Sequence, residues 1–215
     1  MQCILREKLL TQAMKLSDVS SLYRTESNRF VDAYFGWLEE AEKDLSGLRS
    51  PISILLQAEK SSLTAVLDGY LPDNIQAGKS VRNSQRAVAA QSLEKVSKEI
   101  YSKIENIDQT LNQLQEKLCH AVAVLASKEP EVYENIQVSQ QGIDTIWKML
   151  GRTPETTPMY NYFCAKLTST DRNYLLMDII QNIVSNKSVP ENHACANQPV
   201  QERMPDRVHE RGSRD

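Results

Sequence analysis

Apolar residues recur along most of the chain at intervals of three and four, which is the spacing of an amphipathic helix. This pattern predicts a short helix over about residues 2–16 and a longer one that ends near residue 45, with Ser17-Asp18 as the N-cap between them. Ser50-Pro51 is typical of a helix start, because serine caps well and proline suits the first helical position. We therefore predict an all-α fold without a β-sheet.

The strongest periodicity is a strict a/d heptad repeat in the middle of the chain. Neither Gly nor Pro lies between Lys79 and Glu129, so the sequence predicts one helix over about 79–128 that is about 70 Å long. We predict that its heptad residues form an interface. The residues of this heptad seam are Ile100, Ile104, Ile107, Leu111, Leu114, Leu118 and Leu125.

Two explanations of the heptad seam stay open. An ordinary helical bundle buries such a stripe against its own helices, whereas a coiled coil buries it against a second chain. Because the stripe is longer than one or two short neighbouring helices can cover, we predict a homo-oligomer or a permanent complex with a protein partner.

The pattern after the long helix predicts the domain organisation. Pro130 is expected to begin a helix that ends at Gly151, since proline suits a helix start and glycine a helix end. The last part of the chain has almost no large apolar residue, which is typical of disorder. We predict a helical bundle at 1–151 around the long central helix, a linker at 152–158, a C-terminal helical pair at 159–186 and a disordered tail at 187–215.

Composition supports a helical chain and limits its class. The 215 residues include only seven glycines, although sheets with tight turns and glycine-rich phosphate loops need many. No apolar run is long enough for a transmembrane segment. The four cysteines are far apart and the first residues do not form a secretory signal, so we expect free thiols and a cytoplasmic protein.

A basic stripe is the first candidate for binding chemistry. Lys79, Arg82 and Arg86 share one face at the start of the long helix, where the helix macrodipole disfavours cations. This placement suggests an anionic partner, such as nucleic acid, a lipid headgroup or an acidic protein surface. The alternative is a solvated basic turn, because three cations are few and the net charge of the chain is -3.

Residues 171–178, DRNYLLMD, provide the second candidate. In Arg172 and Asn173 this stretch resembles the motif helix of HEPN-type ribonucleases, which are all-α dimers from toxin–antitoxin and defence systems. Met177 stands where that motif has histidine, so the resemblance implies an inactive relative.

The sequence contains no recognisable nucleophile motif or zinc-site spacing, and we predict no catalytic residue, cofactor or metal. We expect a non-enzymatic helical interaction protein, or scaffold, that self-associates or docks on a larger assembly through the heptad seam. The alternatives are a nucleic-acid-associated accessory protein that uses residues 79–86, and an inactive HEPN-like ribonuclease relative.

Overall fold

The computed structural model describes residues 1–48, 50–70, 80–131 and 136–187. Within these ranges 86% of the residues are helical and there is no strand, which confirms the all-α prediction. The predicted tail lies outside the described residues, apart from Lys187. The helices are α1 (Gln2–Arg24), α2 (Phe30–Ser46), α3 (Pro51–Leu67), α4 (Val81–Lys128), α5 (Gln140–Arg152), α6 (Thr157–Lys166) and α7 (Ser169–Lys187).

Helix α4 is the long helix that the sequence predicted. It has 48 residues, and Ser80 caps its start by accepting a hydrogen bond from the backbone N–H of Asn83 at 3.3 Å. At 1.5 Å per residue it is about 70 Å long. Its buried residues run from Ser84 to Leu125, so the helix packs against other helices along almost its whole length.

Two hydrophobic cores lie along α4. In the first, α1, α2 and α3 pack in sequence around the N-terminal half of α4, and in the second α5, α6 and α7 pack on its C-terminal half. The cores meet between Leu111, which belongs to the first, and Leu114, which belongs to the second. The fold is therefore two four-helix bundles that share one helix.

The predicted break at Ser17-Asp18 is wrong, because α1 continues to Arg24. Leu16 and Val19 on either side of that pair are both buried, so continuing the helix keeps both in the core. The Ser20 hydroxyl donates to the Leu16 carbonyl at 2.8 Å within the helix. The chain instead turns at residues 25–29, where Glu26 adopts a positive φ of 53°.

A continuous helix from Pro130 to Gly151 is also wrong. Pro130 is helical, but residues 136–139 are not, and α5 begins at Gln140. The cap explains this start, because the Ser139 hydroxyl accepts a hydrogen bond from the backbone N–H of Gly142 at 3.1 Å.

The predicted linker at 152–158 is mostly helix ends, and only residues 153–156 form a compact turn between α5 and α6. Thr153 and Thr156 are buried there, and the Thr156 hydroxyl donates to the Leu150 carbonyl at 2.8 Å. The second core contains residues from both sides of this turn, such as Leu150 and Phe163.

Candidate functional site

The heptad seam is buried inside the chain. All seven of its residues are at most 8% exposed, and helices of the same chain cover them in both bundles. The alternative of a seam within a bundle describes these contacts. Covering the seam requires no second chain, which removes the reason for predicting an oligomer; self-association itself stays a prediction.

The three residues of the basic stripe differ in their surroundings. Lys79 lies outside the described residues, and Arg82 is exposed. Arg86 instead reaches the end of α1, where its guanidinium donates to the carbonyls of Tyr23 at 2.7 Å and Ser27 at 2.9 Å. A cation at a helix C-terminus is favourable, so this contact accounts for Arg86 without an anionic partner.

Arg172 and Asn173 lie where α7 meets α5. The Arg172 guanidinium donates to the Asn173 side-chain oxygen at 2.8 Å and lies 5.2 Å from the centre of the Trp147 ring. The Asn173 amide in turn donates to the Gln140 side chain at 3.3 Å. The pair therefore takes part in packing between two helices of the second bundle.

A polar cleft of about 270 Å³ opens where the two bundles meet. Helix α1 contributes its first two turns, α4 its middle and α7 its first half. We call it the junction cleft. Its lining residues are Cys3, Arg6, Glu7, Asp108, Leu111, Asn112, Gln115, Tyr174, Leu175 and Asp178.

The charges of the junction cleft are unequal. Its lining has three carboxylates, on Glu7, Asp108 and Asp178, and one cation, on Arg6. Arg6 forms an ion pair with Asp108, and this hydrogen bond raises the pKa of the guanidinium. Within the described part of the chain the Glu7 carboxylate has no such partner, while Asp178 accepts a hydrogen bond from the neutral amide of Gln115 at 2.5 Å.

Asp171 joins the two bundles beside this cleft. Its carboxylate is buried and accepts hydrogen bonds from the Cys3 backbone N–H at 2.9 Å and the Thr168 hydroxyl at 2.8 Å, and it pairs with the amino group of Met1. Burial opposes the charge, but the hydrogen bonds from the Met1 amino group and the backbone of α1 outweigh it and hold the pKa of Asp171 below its usual range.

The Cys3 thiol at the cleft is a poor nucleophile, because its raised pKa favours the protonated form. Burial, followed by the hydrogen bond with Asp171, raises the pKa of Cys3 to about 12. Cys119 and Cys164 are exposed free thiols, although partial desolvation raises the pKa of Cys119.

Sequence reasoning missed the junction cleft and Asp171. Their partners are far apart in the chain, since Arg6 and Asp108 are 102 residues apart and Cys3 and Asp171 are 168 apart. One local signal was present: Thr168 and Asp171 have the spacing of a helix capping box, and the Thr168 hydroxyl accepts from the Asp171 N–H at 3.2 Å.

The described residues include no group of three or more His, Cys, Asp and Glu placed to hold a metal ion. Among the same residues, no helix combines the length and apolar character that crossing a membrane requires. No protein-family model matches the sequence, and the comparisons with curated proteins and with solved structures found no match.

Proposed function

We propose that the protein is a non-enzymatic helical scaffold of the cytoplasm that holds a protein partner as part of a larger assembly. The observation that carries this proposal is the continuity of α4, which contributes core residues to both bundles from Ala89 to Leu125. A helix packed on both halves resists bending, so it keeps the outer ends of the two bundles about 70 Å apart. Fixed spacing between two surfaces is what a scaffold needs.

The outer end of the first bundle is the docking surface we propose. Here α3 ends and α4 begins, and three large apolar side chains are exposed: Leu67, Tyr70 and Val81. Exposed apolar residues grouped at one end of a molecule favour contact with another protein. Arg82 is exposed at the same end and provides a positive charge for contact with acidic groups of that partner.

Site-specific photocrosslinking in cells tests this assignment. A photoreactive residue replaces Tyr70, which is 74% exposed at the outer end, or Tyr101, which is 55% exposed on α4 between the two ends. We expect a discrete crosslinked protein from position 70, competed by an excess of the unlabelled chain, and little from position 101. Equal crosslinking from both positions would contradict docking through the outer end.

Self-association is the other outcome that this experiment can identify. If the partner is a second copy, the crosslinked species has twice the mass of the chain and light scattering of the purified protein gives an oligomer. If the captured material is nucleic acid, nuclease treatment removes it and raising the salt concentration weakens binding. A monomer that gives no crosslinked protein at either position would refute the scaffold proposal.

A further inference from the structure

The junction cleft has features of a binding site for a small organic molecule. It lies between two packed bundles, which is where proteins often place ligand sites. Its floor includes the apolar side chains of Leu111 and Leu175, while the amides of Asn112 and Gln115 and the phenol of Tyr174 provide polar contacts. An apolar floor with polar walls suits a ligand that is itself part apolar and part charged.

The charges of the cleft lining favour a ligand that carries a positive charge. Arg6 and Asp108 neutralise each other, which leaves Glu7 on α1 and Asp178 on α7 without a cationic partner in the described part of the chain. The Cys3 thiol adds no charge, because it stays protonated. An anion entering the cleft would meet two carboxylates that no cation offsets, whereas a cation would be attracted.

The positions of the lining residues favour a linear ligand. Glu7 and Asp178 lie on different helices of the lining, which favours a molecule with an ammonium group at each end over a single cation. The methylene chain between the ammonium groups would lie on the Leu111 and Leu175 floor. The Tyr174 ring, which is 50% exposed at the cleft, offers a face for a cation–π contact.

We propose that the junction cleft binds a linear aliphatic diamine or polyamine. Glu7 and Asp178 hold the ammonium groups, and Tyr174 covers one of them. This site is separate from the outer end of the first bundle, so the proposal does not depend on the scaffold function. Binding between the bundles would add contacts across their junction and stabilise the folded chain.

Isothermal titration calorimetry of the full chain with 1,4-diaminobutane tests the proposal. We expect one site per chain and at least tenfold tighter binding than for 1-aminobutane, which has the same carbon chain and one ammonium group. Equal affinities for the two amines, or equal competition by sodium ions at matched ionic strength, would show nonspecific attraction to an acidic protein and overturn the proposal.

Variants locate the site. Glu7→Gln and Asp178→Asn should each weaken binding of 1,4-diaminobutane about tenfold, while Glu39→Gln, an exposed change on α2, should leave it unchanged. Glu7 is exposed, so Glu7→Gln is expected to fold, and circular dichroism checks each variant. Wild-type affinity in both cleft variants would place any bound amine elsewhere and refute this site.

Discussion

Asp171 shows how one residue can connect distant parts of the chain. Its backbone N–H donates to the capping hydroxyl of Thr168 at the start of α7, and its buried carboxylate accepts the hydrogen bond from the N–H of Cys3 in α1. A buried carboxylate without these donors would be strongly unfavourable, so its partners and its charge stabilise the fold together.

We predict that Asp171→Asn lowers the free energy of unfolding by about 2–4 kcal/mol at pH 7, since it removes a buried charge that three donors stabilise. The folded-state pKa of Asp171 is lowered, so its contribution is present above the ordinary pKa of aspartate and declines as the pH falls below about 5. Urea unfolding at pH 7 and pH 3.5 should therefore give a smaller difference between variant and wild type at pH 3.5. The exposed control Asp18→Asn should change little, and a pH-independent difference for Asp171→Asn would contradict this account.

Arg86 illustrates the same point for a cation. Two carbonyls at the end of α1 accept its hydrogen bonds, and its guanidinium lies 5.1 Å and 5.3 Å from the centres of the Tyr23 and Phe30 rings. We predict that Arg86→Ala lowers the free energy of unfolding by about 1–3 kcal/mol, because it removes two charge-assisted hydrogen bonds and the contacts of the guanidinium with both rings. Thermal and chemical denaturation measure this change. Arg82→Ala, four residues earlier and exposed, is the matched control, and equal effects of the two changes would mean that the α1 contact is unimportant.

At the scale of the element, the start of α5 depends on a close backbone approach. A Cβ atom on Gly142 would lie 2.2 Å from the Gln137 carbonyl oxygen, so any side chain there displaces the backbone. We predict that Gly142→Ala lowers the free energy of unfolding by about 1–3 kcal/mol. Gly36→Ala is the control, because nothing lies within 4 Å of its Cβ position in α2, and it should stabilise the protein by about 0.5–1 kcal/mol. Chemical denaturation of both variants should give opposite signs.

The heptad seam of α4 provides a second prediction at this scale. Leu111 and Leu114 are 6% and 7% exposed, one in each core. Replacing both with Asp puts two carboxylates into apolar surroundings at a cost of several kcal/mol each. We expect the double variant to lose helical circular dichroism. A well-folded variant of lower mass by light scattering would instead show that the seam contacts a second chain.

In the whole molecule, we expect the shared helix α4 to make the two bundles unfold together. Gln113 is exposed on α4 between the last residue of the first core and the first residue of the second. Gln113→Pro removes one backbone hydrogen bond of α4 and distorts the helix at a cost of about 3 kcal/mol or more. We predict one calorimetric transition for the wild type and for Gln113→Ala, and two separate transitions for Gln113→Pro. A single transition in the proline variant would mean that the α1–α7 contacts alone couple the bundles.

The fold class and the long helix could be predicted from local sequence patterns alone. The spacing of Ile100, Ile104 and Ile107 and the cap at Ser50-Pro51 are local properties, because helical hydrogen bonds and caps join residues only a few positions apart. The errors arose where local signals compete. Ser17-Asp18 can cap a helix, but burial of Leu16 and Val19 in one core continues α1 through them.

The helices that cover the heptad seam and the position of the junction cleft became known from the packing of the helices in three dimensions. A heptad stripe has the same pattern whether its own chain or a second chain packs against it, so its spacing could not identify the helices that bury it. The cleft likewise brings Arg6 to Asp108 and Gln115 to Asp178 across long stretches of sequence. Such contacts depend on how helices pack in three dimensions, and no periodicity along one helix encodes which distant charge will face it.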